Sequence, residues 1–304
     1  MTVATRAIST LNLLRFKRTA QWFQSIYTEG TMHSPRTHWP VTLGFVRWCV
    51  DPFTREEIKR EHENLQRYAT GDQIHSFGNY GGKYHAEHVG RLLKQSHLLH
   101  SPLKVLDAAC NHGYLVDYLK TPLQRYIGID LIDEIIATAN AEALKRFSKV
   151  GCNDYRFLKG DIRLNETYET VPTDNNLIVC NGVLGHFRPK HICQLLDNFY
   201  AVLSDDTSSR VIMGCPTIPD DFERHLFLVN EDQFGNIRKV PRRNEGGMRF
   251  VVQRNTSDDF EYRRYEIDDL IAFVNNHGGF RIVDKDPKEI NPQDGSIYLC
   301  LQKK

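Results

Sequence analysis

From residue 104 to residue 216, short β-rich runs alternate with helical stretches. The β-rich runs are "KVLDAA", "RYIGIDL", "DYRFLKGD", "NNLIVCNG" and "RVIMGCPT". The stretches near 113–121, 133–146 and 189–203 have the composition of helices. Strands that alternate with helices of about 10 to 15 residues form βαβ units, and their parallel sheet is covered on both faces. The sequence therefore predicts a doubly wound α/β domain.

After residue 216 this alternation stops. The runs "MRFVVQRN" and "FEYRRYEI" flank the polar turn "TSDD", which predicts an antiparallel hairpin within an insertion at about 217–266. A helix in "DDLIAFVNNHGG" and two further strands, "FRIVDKDP" and "SIYLCLQKK", follow. We expect the chain to return to the main sheet with an antiparallel final strand.

The residues before the sheet are predicted to form a helical cap. Residues 1–100 contain few large apolar side chains, and Thr54 and Glu57 have the spacing of a capping box at the start of an exposed helix. We therefore divide the chain into a cap, 1–100, and a main domain, 101–304. Residues 1–28 carry basic but no acidic side chains, which fits either an N-terminal helix or an amphipathic transit peptide.

Composition excludes several classes of function. Lys and Arg (39) nearly balance Asp and Glu (38), so no global field attracts nucleic acid or an acidic membrane. No apolar run reaches the roughly 18 residues of a membrane span. The seven cysteines are scattered without a C-x-x-C pair, which is typical of reduced thiols in the cytoplasm. The basic run at 238–254 lacks the interleaved aromatic residues of a nucleic-acid platform.

Three aspartates come at or just after the ends of successive predicted strands. Asp107 follows the first, Asp130 the second and Asp161 the third. Because the carboxyl ends of parallel strands meet at one edge of the sheet, the three carboxylates surround one crevice, and Asp130 can accept both hydroxyls of a ribose. The tight turn that reaches Gly113 is expected to present free backbone N–H groups to a ligand.

These features resemble the class I S-adenosylmethionine-dependent methyltransferase family over roughly residues 75–304. The first motif of the family reads approximately D-x-G-x-G-x-G, and this chain has "DAACNHG". Asp107 and Gly113 match, whereas Ala109 and Asn111 replace glycines. The resemblance implies a seven-stranded, mostly parallel sheet with an antiparallel final strand, and S-adenosylmethionine as cofactor.

The resemblance also assigns roles to residues of the crevice. It implies that Asp130 binds the cofactor ribose, that Asp161 reaches the adenine amino group with Ile162 against the ring, and that Asn181 faces the reacting centre. The implied cofactor-binding residues are Asp107, Ala109, Asn111, His112, Gly113, Asp130, Leu131, Asp161, Ile162 and Asn181.

The altered glycine motif leaves two interpretations open. Asn is the residue most tolerant of the left-handed region after glycine, so Asn111 can make the turn and add a side-chain amide. In the family this loop holds the methionine end of the cofactor. Asn111 and His112 then either change how the sulfonium is oriented or leave the binding mode unaltered.

Candidate catalytic residues lie on both sides of the first motif. His186, just past the fourth strand, is a candidate base, or else caps the next helix or hydrogen-bonds the cofactor. The stretch "FGNYGGKYHAEHVGRLL" adds Tyr84 and His85 as catalytic candidates and Tyr80 and His88 as substrate-binding candidates. His85 and His88 share a helix face, but H-x-x-H alone is weak support for a metal, and we predict a pocket lining with no metal.

The predicted hairpin carries an arginine pair. Arg263 and Arg264 clamp a carboxylate or phosphate if they face the crevice, and otherwise belong to a solvated outer face. In the family, an antiparallel insertion after the fifth strand often closes the acceptor site of enzymes that act on small metabolites. We expect a small-molecule substrate, anionic if the pair binds it, and a homodimer is a compatible assembly.

The sequence thus predicts a methyltransferase that modifies an O or N atom of a small metabolite. Two alternatives stay open. An enzyme of the same fold could direct attack at the aminocarboxypropyl arm of the cofactor, for example in an intramolecular cyclisation that releases methylthioadenosine. A non-catalytic scaffold that binds the cofactor is the other.

Overall fold

The computed structural model describes residues 85–98, 102–218, 229–231, 237–239, 248–254, 261–286 and 296–304. Of the second, smaller sheet, whose strands lie within 229–265, it describes the backbone and only the last side chains. Most of the predicted cap, the capping box at Thr54, and the candidates Tyr80 and Tyr84 lie outside the described residues.

The described elements follow the predicted alternation. The strands are β1 Leu103–Ala108, β2 Leu123–Asp130, β3 Tyr155–Lys159, β4 Leu177–Cys180, β5 Arg210–Pro216, β6 Val229–Glu231, β7 Ile237–Lys239, β8 Met248–Arg254, β9 Glu261–Tyr265, β10 Phe280–Asp286 and β11 Ser296–Lys303. The helices are α1 over 85–95, α2 Leu115–Tyr118, α3 Asp133–Val150, α4 Pro189–Val202 and α5 Ile267–Asn276. Short 3₁₀ turns cover Asn165–Tyr168 and Leu184–His186.

The main sheet has seven strands in the order β10-β11-β5-β4-β1-β2-β3. Strands β1 to β5 pair in parallel, and β11 pairs antiparallel with both β5 and β10. The predicted doubly wound sheet with an antiparallel final strand is therefore confirmed. The chain order reverses between β1 and β4, and ligands of open α/β sheets bind outside the carboxyl ends of the strands at such a switch point.

Apolar side chains cover both faces of this sheet. Along β1, Leu106 joins the core formed with α4, including Phe199, while Val105 joins the core formed with α1 and α3, including Leu92 and Phe147. This alternation follows from the two-residue period of a strand. Helix α1 belonged to the predicted cap, and its packing shows that residues 85–95 share the core of the sheet; the boundary near 100 stays a prediction.

The inserted segment forms a second, antiparallel sheet in the order β7-β6-β8-β9. The predicted hairpin is present, since β8 and β9 pair from Phe250 opposite Tyr265 to Arg254 opposite Glu261. Tyr265 is fully buried, and its hydroxyl donates to the carbonyl oxygens of Leu184 and Phe187. The end of the hairpin is thereby attached to the segment after β4.

The helix after β1 is shorter than expected. Helix α2 covers four residues, where a helix near 113–121 was predicted. It starts late because left-handed residues occupy the preceding turn, and it ends at Leu119, whose ψ of 118° is extended. Helix α3 instead runs past its predicted end to Val150 and ends at left-handed Gly151.

Among the described helices, none combines the length and the apolar composition needed to cross a lipid bilayer.

Candidate functional site

The turn between β1 and α2 alternates in and out of the left-handed region. Ala109 has φ 67°, Asn111 φ 50° and Gly113 φ 72°. Asn111 therefore makes the turn as its chemistry suggested. Ala109 does so without a polar side chain, at a cost of about 1 kcal/mol. Glycine is required at 113, because a Cβ there would lie 2.8 Å from the ring of Phe157.

The backbone N–H groups of this turn are already satisfied within the protein, contrary to the expectation that they are free for a ligand. Those of Ala109 and Cys110 donate to the carbonyl of Ile129, and that of Gly113 donates to Cys110. The His112 N–H donates to Asn111 Oδ1 at 2.7 Å. The Asn111 side chain thus stabilises its own turn by accepting a hydrogen bond from the backbone of the next residue.

Asp130, at the end of β2, accepts hydrogen bonds that hold the turn in place. Its Oδ2 accepts the N–H of Asn111 at 2.9 Å, and its Oδ1 accepts the N–H of Ile132 at 3.2 Å. Burial raises the pKa of this carboxyl, and these hydrogen bonds lower it. The residue keeps 9% of its surface exposed, and each carboxylate oxygen can accept a second hydrogen bond.

Asp107 lies on the neighbouring strand, β1, and is more deeply buried than Asp130. The hydroxyl of Tyr126 donates to its Oδ2 at 2.5 Å. Burial raises the pKa of Asp107 to about 7, with the charge of Asp130 adding to the rise and the Tyr126 hydrogen bond opposing it. The carboxyl therefore exchanges its proton near neutral pH.

His112 is held inside the turn. It is buried, and its Nδ1 is hydrogen-bonded to the Tyr114 hydroxyl at 2.9 Å. Arg146 of α3 donates to the carbonyl of His112 and, at 3.0 Å, to Asp117. The turn is therefore fixed to α3 as well as to β2, and sequence reasoning missed Arg146 because it lies about 30 residues away, on another element.

Asp161 forms a buried ion pair with Arg163. The two side chains are 3% and 1% exposed, and Arg163 contacts both carboxylate oxygens, with Nη2 to Oδ2 at 2.8 Å. A ligand amino group would have to share this carboxylate with Arg163. The neighbouring Ile162 packs into the core with α4. The Asp-x-Arg spacing in the sequence is the signal that could have found this pair.

An open cavity of about 360 Å³ lies beside these residues, outside the carboxyl ends of β2 and β3. Its lining residues are Leu131, Lys159, Gly160, Asp161, Leu164, Glu166 and Thr167. Leu131 and Asp161, two of the residues predicted to bind the cofactor, therefore line the same cavity.

Asn181 follows β4, at the same edge of the sheet. Its Oδ1 is buried and has no hydrogen-bond partner among the described residues. A Cβ on Gly214 would lie 2.9 Å from this oxygen and 2.9 Å from the ring of Tyr298. Because Gly214 has no side chain, Asn181 and Tyr298 can approach each other.

Both histidines of α1 contact Tyr298. His85 Nδ1 is hydrogen-bonded to the tyrosine hydroxyl, and a Cβ on Gly182 would lie 3.5 Å from His85 Nε2. The His88 ring stacks on Tyr298 with centroids 4.2 Å apart, and His88 Nδ1 lies 2.7 Å from an oxygen of Asp286. The structure brings His85 to the end of β4 and His88 to Asp286 of β10. Tyr298 and Asp286 were missed, because they reach the histidines through antiparallel pairing late in the chain.

His186 lies in the turn after β4. Burial lowers its pKa to about 3, with the charges of Arg263 and Arg163 adding to the effect. Its carbonyl accepts a hydrogen bond from Arg263 Nη1 at 3.2 Å. An imidazole with this pKa binds a proton weakly at neutral pH, which weighs against a role as general base.

The arginine pair does not act as one clamp in this structure. Arg263 is buried and contacts His186, whereas Arg264 is partly exposed and donates from Nη1 to the Thr217 carbonyl at 3.4 Å. Neighbouring residues of a strand project to opposite faces, so the two guanidinium groups contact different segments.

One family model matches part of the chain. Residues 106–208 match the family model described as "Methyltransferase domain". No curated protein sequence matches the chain.

Solved structures of methyltransferases are similar to this chain at low sequence identity. A Synechocystis magnesium protoporphyrin IX methyltransferase with bound S-adenosylhomocysteine is 14% identical, with a TM-score of 0.53 over 82% of this chain and 100% of its own. A Clostridium acetobutylicum S-adenosylmethionine-dependent methyltransferase is 14% identical (TM-score 0.49; 82% and 99% covered). A Burkholderia thailandensis 1,6-didemethyltoxoflavin-N1-methyltransferase is 14% identical (TM-score 0.45; 89% and 93% covered). The first of these has the same fold as the main sheet of this chain.

Proposed function

We propose that this chain, which carries a class I S-adenosylmethionine-dependent methyltransferase domain, transfers a methyl group to an O or N atom of a small metabolite. The observation that carries the proposal is the position of Asp130. Its carboxylate holds the turn after β1, and the residue ends β2, which pairs with β1 beside the switch point. Asp130 keeps part of its surface exposed and directly precedes Leu131, which lines the cavity.

The residues present fit the adenosine part of the cofactor. The cavity of about 360 Å³ has apolar Leu131 and Leu164 together with polar Asp161 and Thr167 in its lining. Asp130 retains acceptor capacity for ribose hydroxyls. When bound, the cofactor supplies a sulfonium methyl group that a nucleophile can displace.

At the methionine end of the cofactor, we propose that side chains, and not backbone N–H groups, donate the hydrogen bonds. The N–H groups of the turn are used internally, so a cofactor carboxylate has to be met by other donors. The Asn111 amide nitrogen is one such donor, since Asn111 uses its oxygen for the turn. The substitution of glycine by Asn111 then contributes both the left-handed backbone and a contact.

We assign the acceptor side to His85 rather than to His186. If His85 Nδ1–H donates to the Tyr298 hydroxyl, the tautomer with a lone pair on Nε2 is favoured, and Nε2 is the atom beside Gly182 at the end of β4. His85 Nε2 would take the proton of the acceptor O–H or N–H as the methyl group is transferred. Arg264, partly exposed, is a contact for an anionic acceptor.

The family model describes methyl transfer, and the alternatives with chemistry on the aminocarboxypropyl arm or with no catalysis are not favoured. The six described cysteines are free thiols, which fits the reducing conditions of the cytoplasm. A homodimer stays a prediction.

The test uses S-adenosylmethionine that carries a deuterated methyl group. The protein is first incubated with this cofactor alone, and then with fractionated small-molecule extracts, and products are identified by mass spectrometry. We expect intact cofactor in the first incubation, and S-adenosylhomocysteine with one deuterated methyl acceptor in the second. Methylthioadenosine above the no-enzyme control would instead support attack on the aminocarboxypropyl arm, and failure to bind the cofactor would support the non-catalytic alternative.

A further inference from the structure

Three potential metal ligands come together on the face of the sheet covered by α4 and α5. Cys193 and Asp197 are one helical turn apart on α4, and His277 immediately follows α5. His277 precedes β10, whose first residue, Phe280, pairs with Lys303 near the start of β5. The cluster is thus associated with the amino-terminal edge of the sheet, opposite the edge that carries Asp130.

We propose that Cys193, Asp197 and His277 bind a zinc ion. One sulfur, one oxygen and one nitrogen ligand atom of these residues all lie within 4.8 Å of one another. Ligand atoms around a tetrahedral zinc, at about 2.0 to 2.3 Å from the metal, are separated by roughly 3.3 to 3.8 Å. Small side-chain adjustments therefore suffice to close the site.

The donor set selects the class of metal. A thiolate and an imidazole favour zinc or cobalt over magnesium and calcium, which prefer oxygen ligands. Three protein ligands leave the fourth position to water. Asp197 and Cys193 are partly exposed, so an ion can reach the site from solvent.

The protein alone leaves this cluster incompletely satisfied. His277 Nε2 lies 3.1 Å from Asp197 Oδ1, but Nδ1 of the same ring is buried with no hydrogen-bond partner among the described residues. A divalent cation would favour the Cys193 thiolate and would be attracted by the Asp197 carboxylate.

The backbone is arranged to place the imidazole here. Gly278 has φ 88°, and a Cβ on Gly279 would lie 3.3 Å from His277 Nδ1 and 2.9 Å from the Tyr200 ring. The paired glycines therefore let the chain turn sharply into β10 while the ring lies against α4. A bound ion would tie α5, and the antiparallel pair that follows it, to α4.

The experiment measures metal binding by the full-length protein after treatment with a chelator. We expect one zinc per chain, a rise in Tm of several degrees with zinc, and a cobalt adduct with a thiolate-to-metal charge-transfer band. Binding should weaken as the pH falls, because both imidazole and thiol must be deprotonated.

The variants Cys193→Ser and His277→Gln should weaken zinc binding by more than about 100-fold. Cys152→Ser, at a buried cysteine of the opposite face, should leave it unchanged and is the matched control. Equal affinity in Cys193→Ser, or a wild-type cobalt spectrum without the thiolate band, would overturn the proposal even if the His277 variant fails to fold. None of these outcomes depends on methyl transfer.

Discussion

Asp130, at the carboxyl edge of the sheet, is the residue on which the proposed cofactor site depends most. We expect Asp130→Ala to weaken S-adenosylmethionine binding by at least about 100-fold, because each hydrogen bond to a charged acceptor contributes about 1.5 to 3 kcal/mol. Calorimetric titration measures the affinity, and circular dichroism shows that the variant is folded.

The matched control is Asp205→Asn. Asp205 is exposed, pairs with Lys303 and does not line the cavity, so its loss should not change the affinity. Unchanged affinity in Asp130→Ala would remove the ribose assignment.

Asp107 makes stability depend on pH. Its pKa is about 7 in the folded protein and 3.8 ordinarily, so between these values the folded state holds a proton that the unfolded state has released. The free energy of unfolding therefore falls as the pH rises from about 4 to 7, by up to about 1.4 kcal/mol per pH unit. Asp107→Asn should remove this component, which urea unfolding at pH 5 and pH 7.5 measures.

Wild type and variant have to be compared at both pH values, because His186 changes the free energy of unfolding with pH in the opposite direction. Its pKa is about 3 in the folded protein against 6.5 ordinarily, so it destabilises the fold as the pH falls below 6.5. A variant with the same difference between pH 5 and 7.5 as wild type would contradict the raised pKa of Asp107.

The identity of the base is tested by a pair of variants. With the acceptor in hand, His85→Gln should lower kcat by about 10²- to 10⁴-fold without changing the affinity for the cofactor. His186→Gln should keep most of the turnover, because an imidazole with a pKa of about 3 is neutral in both the resting and the working enzyme. The reverse pattern would return the role to His186.

At the scale of elements, the turn after β1 is the strained connection. Ala109 has φ 67°, so Ala109→Gly relieves backbone strain of about 1 kcal/mol or more and should leave the protein equally stable or up to about 1 kcal/mol more stable. Gly113→Ala should destabilise by more than that, because a Cβ would also lie 2.8 Å from Phe157. Denaturant midpoints rank the two variants, and a Gly113→Ala protein as stable as wild type would refute the assigned geometry.

At the scale of the whole molecule, stability depends on β11, the last strand in the sequence. Leu299 of β11 is fully buried between β5 and β10, so Leu299→Ala should cost about 2 to 5 kcal/mol through lost burial and a cavity. Val283→Ala on β10, where the side chain is 40% exposed, should cost less than about 1 kcal/mol. Thermal unfolding of both variants checks this, and equal costs would mean that β11 does not complete the core.

The alternation of strands and helices, the antiparallel end and the aspartates at strand ends could all be predicted from the sequence. Each depends on local periodicity or on residues adjacent in the chain, such as the Asn111 turn. The predicted helix near 113–121 shortened to α2 because several left-handed residues in the turn delay its start, and a propensity count does not detect positive φ values at alternate residues.

Only the tertiary structure decided the partners of these residues. Tyr298 meets His85, and Cys193 and Asp197 meet His277, across 80 or more residues of sequence. The turn whose glycines were replaced uses its own N–H groups, and His186 lost its basicity through burial beside two arginines. Local sequence determines the conformations available to a segment, whereas burial, proton affinity and contacts between distant side chains arise only when the strands take their places in the sheet.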